Sequence, residues 1–80
     1  MFRAGMWVAD AAGRVGICYL NARTSEREVH LVDENGETIA IIAWSKDWNQ
    51  ATHAQIPEPR RPSIEIALKY GYAVNEAAEN

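Results

Sequence analysis

His30 and His53 are the two histidines of this chain and Cys18 is its one cysteine. Acid–base or nucleophilic chemistry would have to run through one of these, with a carboxylate or hydroxyl in reach. His30 is followed by Asp33, and Thr52 precedes His53, but neither spacing forms a known nucleophile-and-base motif. A lone cysteine excludes an intramolecular disulfide and a thiolate metal cluster within one chain. Set inside an apolar run, Cys18 reads as a small buried hydrophobe rather than a reactive thiol. The carboxylates are scattered: Glu26 and Glu28 flank one stretch, while Asp33, Glu34 and Glu37 crowd a turn without the ligand order of a calcium loop. The expectation is a non-enzymatic chain with no catalytic residue, no metal site and no cofactor.

The other residues with something to offer are aromatic and basic. Three tryptophans in 80 residues are more than packing alone would select. Trp7 is expected in the core, whereas Trp48, beside Lys46 and Asp47 on a polar loop tip, is a candidate aromatic anchor for a partner. Arg60 and Arg61, between Pro59 and Pro62, form the adjacent basic pair. On a stiff extended segment they would suit phosphate or an acidic partner surface; as a solvated linker they would pair with Glu58 or Glu65. The net charge of -3 neither draws nucleic acid globally nor forbids a local basic patch.

Short strands joined by tight turns are needed to position these residues. Met6–Ala9 is an apolar run ending at the turn residues Asp10–Gly13. Arg14–Leu20 is apolar on both faces, and Gly16 within it permits a bend or a close backbone approach that a side chain would block. Asn21–Glu26 is a polar loop, and Arg27–Asp33 a third strand. Asp33-Glu34-Asn35-Gly36 is a hairpin turn, because Asn-Gly tolerates positive φ between two strand-forming runs. A fourth strand follows from Glu37 to Ala43 or Trp44, and Gln50–Ile56 is a candidate fifth. Pro57, Pro59 and Pro62 then predict an extended, polyproline-like segment with Glu58, Arg60 and Arg61 exposed. Ser63 is a helix N-cap and Gly71 a left-handed stop, giving a short helix near 63–70 docked through Ile64, Leu68 and Tyr70 or Tyr72. Residues 1–74 thus read as one domain and 75–80 as a flexible tail.

Five short strands followed by one helix resemble an SH3-like barrel, so the expected fold class is mainly β, a small SH3-like five-stranded barrel with a C-terminal helix. Gly5 and Val8, then Gly13, Gly16 and Ile17, also resemble the KOW motif of ribosomal and transcription-factor barrels, over about the first quarter of the chain. In that motif lysines crowd the turn, where this chain has Ala11 and Ala12. The ending 54–62 with Gly71-Tyr72 is similar to small uncharacterised phage and prophage proteins that carry such a barrel. The SH3-like resemblance implies a ligand groove between loops lined by Tyr19, Trp44 and Trp48.

The resulting expectation is a small module for protein–protein binding or assembly, with an unidentified protein partner and homo-oligomerisation by edge pairing as one route. The alternative is a KOW-like nucleic-acid-binding domain using Arg14, Arg23, Arg60 and Arg61. The longest apolar run, Ile39–Trp44, is far short of a membrane span, and no signal-peptide pattern stands at the N-terminus, so no membrane partner and a cytoplasmic location are expected.

Overall fold

β1 (Trp7–Ala9) leads through a turn into β2 (Val15–Leu20), and β3 (Arg27–Val32) and β4 (Thr38–Ala43) continue the meander in a computed structural model that describes residues 3–74. β5 (Asn49–Gln50) returns to pair with β1, giving one antiparallel sheet in the order β4-β3-β2-β1-β5. The chain is therefore mainly β, and β4 and β5 are the edges of its sheet among the described residues. The tail at 75–80 lies outside them. Among the described residues no helix is long and apolar enough to cross a membrane.

Each turn is built by a side chain that substitutes for missing ladder bonds. Asp10 Oδ1 accepts from the backbone N–H groups of Ala12 and Arg14, at 3.1 and 2.9 Å, and its Oδ2 accepts from Arg14 Nε at 2.8 Å. Asn21 closes the next loop in the same way, accepting from the Arg23 and Thr24 amides. At the third turn Asp33 Oδ1 accepts from Asn35 N and Glu37 N, and Gly36 takes the expected positive φ of 82°. An aspartate or asparagine opening each connection is the physical basis of the meander.

Both faces of β2 pack, as its two-sided apolar pattern predicts. On one side Trp7, Ala9, Ile17 and Val32 meet Ala51, Ile56, Ala67 and Tyr72 from the C-terminal segment. On the other, Val8, Cys18 and Val29 meet Trp48, with Leu31, Ile42 and Trp44 at the margin. Gly16 is the close approach between β2 and β3: a Cβ there would lie 2.6 Å from Val29 Cγ1 and 2.7 Å from the His30 carbonyl oxygen.

Three sequence expectations are corrected in the C-terminal half. The fifth strand is two residues rather than Gln50–Ile56. Thr52 N donates instead to Gln55 Oε1 at 2.8 Å, and residues His53–Gln55 close a 3-10 turn. The proline segment is not extended throughout; Glu58–Arg60 form a second 3-10 turn, in which Arg60 N donates to the Pro57 carbonyl at 2.9 Å. Helix α1 (Ile64–Lys69) is capped by Ser63 Oγ, which accepts from Ile66 N as expected, but it docks through Ala67, not through Ile64 and Leu68. Ala67 is the helix residue that joins the buried cluster of Trp7, Ile17, Ile56 and Tyr72. Tyr72 completes the contact, its hydroxyl accepting from Trp7 N at 3.0 Å, while Tyr70 stays 66% exposed.

Gly16→Ala should lower stability by about 1 to 3 kcal/mol, the usual cost of overpacking, because the atoms it would meet include backbone; urea unfolding measures it. The Asp10 side chain loses solvation on folding, which raises its pKa, but the hydrogen bonds and charge of Arg14 outweigh this and hold the carboxyl below its ordinary 3.8. A depressed carboxylate pKa contributes stability that is present above the unfolded value and lost as pH falls through the folded one. Acid titration of stability should therefore be shallower below pH 3.8 in Asp10→Asn than in the parent chain.

Candidate interaction surfaces

Tyr19 and Trp44 do not share a groove. Tyr19 stands in register with Glu28, which in turn faces Ala43, so Trp44 is one residue out of phase and points to the opposite side of the sheet. Trp44 N donates to the Arg27 carbonyl at 3.0 Å, continuing the β4 ladder, and its ring packs at the margin of the Trp48 cluster. Tyr19 is 39% exposed and lies against His30, ring centroids 4.3 Å apart.

Trp48 is no loop-tip anchor. It is 2% exposed and roofs the face formed by Val8, Cys18 and Val29, with the Arg14 guanidinium 5.3 Å above its ring. Charged neighbours Lys46 and Asp47 suggest a solvated tip, yet the apolar second face of β2 and β3 needs a cover and Trp48 is the side chain that supplies it.

The basic pair separates into two roles. Arg61, exposed like its neighbour, folds back on the chain: its Nε and Nη2 donate to the Ile56 carbonyl at 3.1 and 2.9 Å, and Nη2 also donates to the Ala54 carbonyl at 3.0 Å. It fastens the 3-10 turn to the start of α1, and its fork geometry is committed there. Arg60 is exposed, its aliphatic stem lying across Gly36 at the β3–β4 turn so closely that a Cβ on Gly36 would collide with it.

The histidines and the cysteine are kept apart by the same alternation. Cys18 faces Val29, one residue out of phase with His30, and burial pushes its thiol pKa up despite the Arg27 charge. His30 Nε2 is 3.8 Å from Glu28 Oε1, whose other oxygen accepts from Asn21 Nδ2. His53 is 7% exposed and donates through Nε2 to the Pro62 carbonyl at 2.7 Å, so it ties the chain across nine residues. Its Nδ1 is buried with no hydrogen-bond partner among the described residues. No group of three or more potential metal ligands gathers among those residues.

Two surfaces emerge that single-residue reasoning did not nominate. The first is β4, where Ile39 is 64% and Ile41 57% exposed on an uncharged edge strand. Part of its signal was in the sequence, six residues without a charge; that the edge is free was not, because it follows from β5 pairing with β1 at the other side of the sheet. The second is a groove of about 790 Å³ between residues 3–7 and the Ile66–Tyr72 stretch, with Arg60 and Gln50 at its side. It depends on a contact between chain segments some sixty residues apart, which local patterns do not reveal. Comparison with known proteins adds no relative: no family model, curated protein or solved structure matches the chain.

Arg61→Ala should lower the urea midpoint, at a cost of about 1 to 3 kcal/mol for carbonyls left without their donor. Arg61→Lys should recover less than half of the loss, since a point charge cannot reproduce the fork.

Proposed function

We propose that this chain is a non-enzymatic interaction and assembly module of SH3-like architecture that pairs through its β4 edge with a strand of another protein chain. The observation that carries this reading is the state of β4. Natural sheets guard their edges with lysine, proline, brevity or cover. β4 has six residues, no charge, no proline, and is exposed at every position except the half-buried Ile42. The irregularity between Leu31 and Val32 interrupts its pairing at one end and leaves the stretch from Ala40 to Ala43 regular.

The hydrogen-bond phase of the free edge follows from the pairing. Trp44 N bonds Arg27 O, so alternation directs the backbone of Ile42 and Ala40 toward β3 and that of Ile41 and Ala43 outward. A strand added there would take its main-chain bonds from Ile41 and Ala43, and specificity from the side chains of Ile39 and Ile41. A second copy of the chain is itself such a strand: antiparallel pairing about a two-fold axis at Ile41 sets apolar positions against apolar positions and no charge against another. The SH3-like description is supported by the short antiparallel meander, the return of β5 to β1 and the single helix after them.

A nucleic-acid role of the KOW kind has less support. Of the arginines it would use, Arg14 is paired with Asp10 and Arg61 with backbone carbonyls.

Light scattering after size exclusion, over a wide concentration range, tests the assembly. The mass should rise from monomer toward dimer with concentration, and Ile41→Lys should remain a monomer with unchanged circular dichroism. A parent chain that stays monomeric at the highest concentration, or an Ile41→Lys chain that associates equally well, overturns self-pairing at β4.

A further inference from the structure

We propose that the groove between residues 3–7 and the α1–Tyr72 segment is a second binding site, and that it takes an acidic peptide segment with apolar residues between its carboxylates. Charge is the first ground. Arg3, Arg60 and Lys69 line the groove, and among the described residues no Asp or Glu does. The chain as a whole is acidic, with net charge -3, so three cations converging without a carboxylate are a local reversal of sign. Among the described residues none of the three is within ion-pair distance of a carboxylate; the arginine–carboxylate pair there joins Arg14 to Asp10, on a different turn.

The apolar lining sets what must accompany the acid. Ile66 is 47% exposed, Leu68 58% and Tyr70 66%, so α1 shows water most of its large side chains after burying only Ala67. An occupant that contributed charge alone would leave this surface wet. One that alternates carboxylates with apolar side chains would pair with the cations and cover Ile66, Leu68 and Tyr70 together. The volume, about 790 Å³, lies in the usual range for a ligand cleft of roughly 300 to 1,000 Å³.

Peptide is favoured over single-stranded nucleic acid by the aromatics. Base stacking needs exposed rings in series. Here Trp7 is 9% and Tyr72 8% exposed, Trp7 in the sheet and Tyr72 bonded to it, which leaves Tyr70 as the accessible ring. The site is separate from β4, and neither proposal depends on the other.

The test is a titration of ¹⁵N-labelled full chain, at low salt, with a short capped peptide of alternating Glu and Leu, beside the same peptide with Gln for Glu and an oligothymidylate. Saturable backbone shifts are expected at Arg3, Arg60, Lys69 and Tyr70 with the acidic peptide. The Gln peptide should bind more weakly, and Arg3→Glu with Lys69→Glu should weaken the acidic peptide by about tenfold, as loss of two exposed charge contacts gives. Both substitutions are at exposed positions, and an unperturbed spectrum elsewhere confirms the fold. Absence of saturable shifts, equal binding of the Gln peptide, or indifference to the double reversal overturns the assignment. Tighter binding of the oligothymidylate at the same residues overturns it in favour of nucleic acid.

Discussion

β1 is the constraint on which this structure turns. All three of its residues, Trp7, Val8 and Ala9, are buried, and because successive side chains point to opposite faces, a strand buried throughout needs cover on both sides. On one side the cover is the C-terminal segment, fixed by Tyr72 OH to Trp7 N and by Ala51 N to the Trp7 carbonyl. On the other it is Trp48. The two short 3-10 turns, the Arg61 fork and the His53 link to Pro62 are means of holding the first cover in place.

That requirement explains where the structure is left bare. A chain this small has limited material to lay over its sheet, and this one concentrates it around β1 and the adjoining half of β2 and β3. β4, at the far edge, receives almost none. α1 likewise contributes its smallest side chain inward, so that its larger apolar residues face water. Exposed Ile39, Ile41, Leu68 and Tyr70 are thus the counterpart of a well-covered β1, and both candidate surfaces arise from one distribution of cover.

What could be read from residues alone divides along the same line. β2, β3, β4 and the Asp33–Gly36 turn were legible because alternation and turn chemistry are local: Gly36 needs positive φ and Gly16 a close neighbour, and each has it. The Ser63 cap and the Gly71 stop were legible for the same reason. The fate of Trp48, Arg61 and Ala67 was not, since each is decided by which distant surface needs covering. Lys46 and Asp47 beside Trp48 describe the backbone around it correctly and its side chain wrongly. Arg60 and Arg61 are adjacent in sequence, alike in chemistry and both exposed, yet one satisfies carbonyls and the other lies across Gly36, a difference set by the turn at Pro57. Ile64 and Leu68 have helical spacing, but helical spacing does not say which stripe meets the sheet.

The hydrogen bond between Tyr72 and Trp7 spans 65 positions of the chain. During synthesis from the N-terminus, β2, β3 and β4 can pair as soon as they emerge, since their contacts are close in sequence. β1 cannot be covered on its second face until nearly the whole described chain has been made. For that interval the nascent protein is a meander with an uncovered face at one end and the bare edge of β4 at the other. The last described segment to emerge is therefore the one that closes the second face of β1, while the edge of β4 stays bare, and the order of synthesis, not only the final contacts, governs how long that face is open to unwanted pairing.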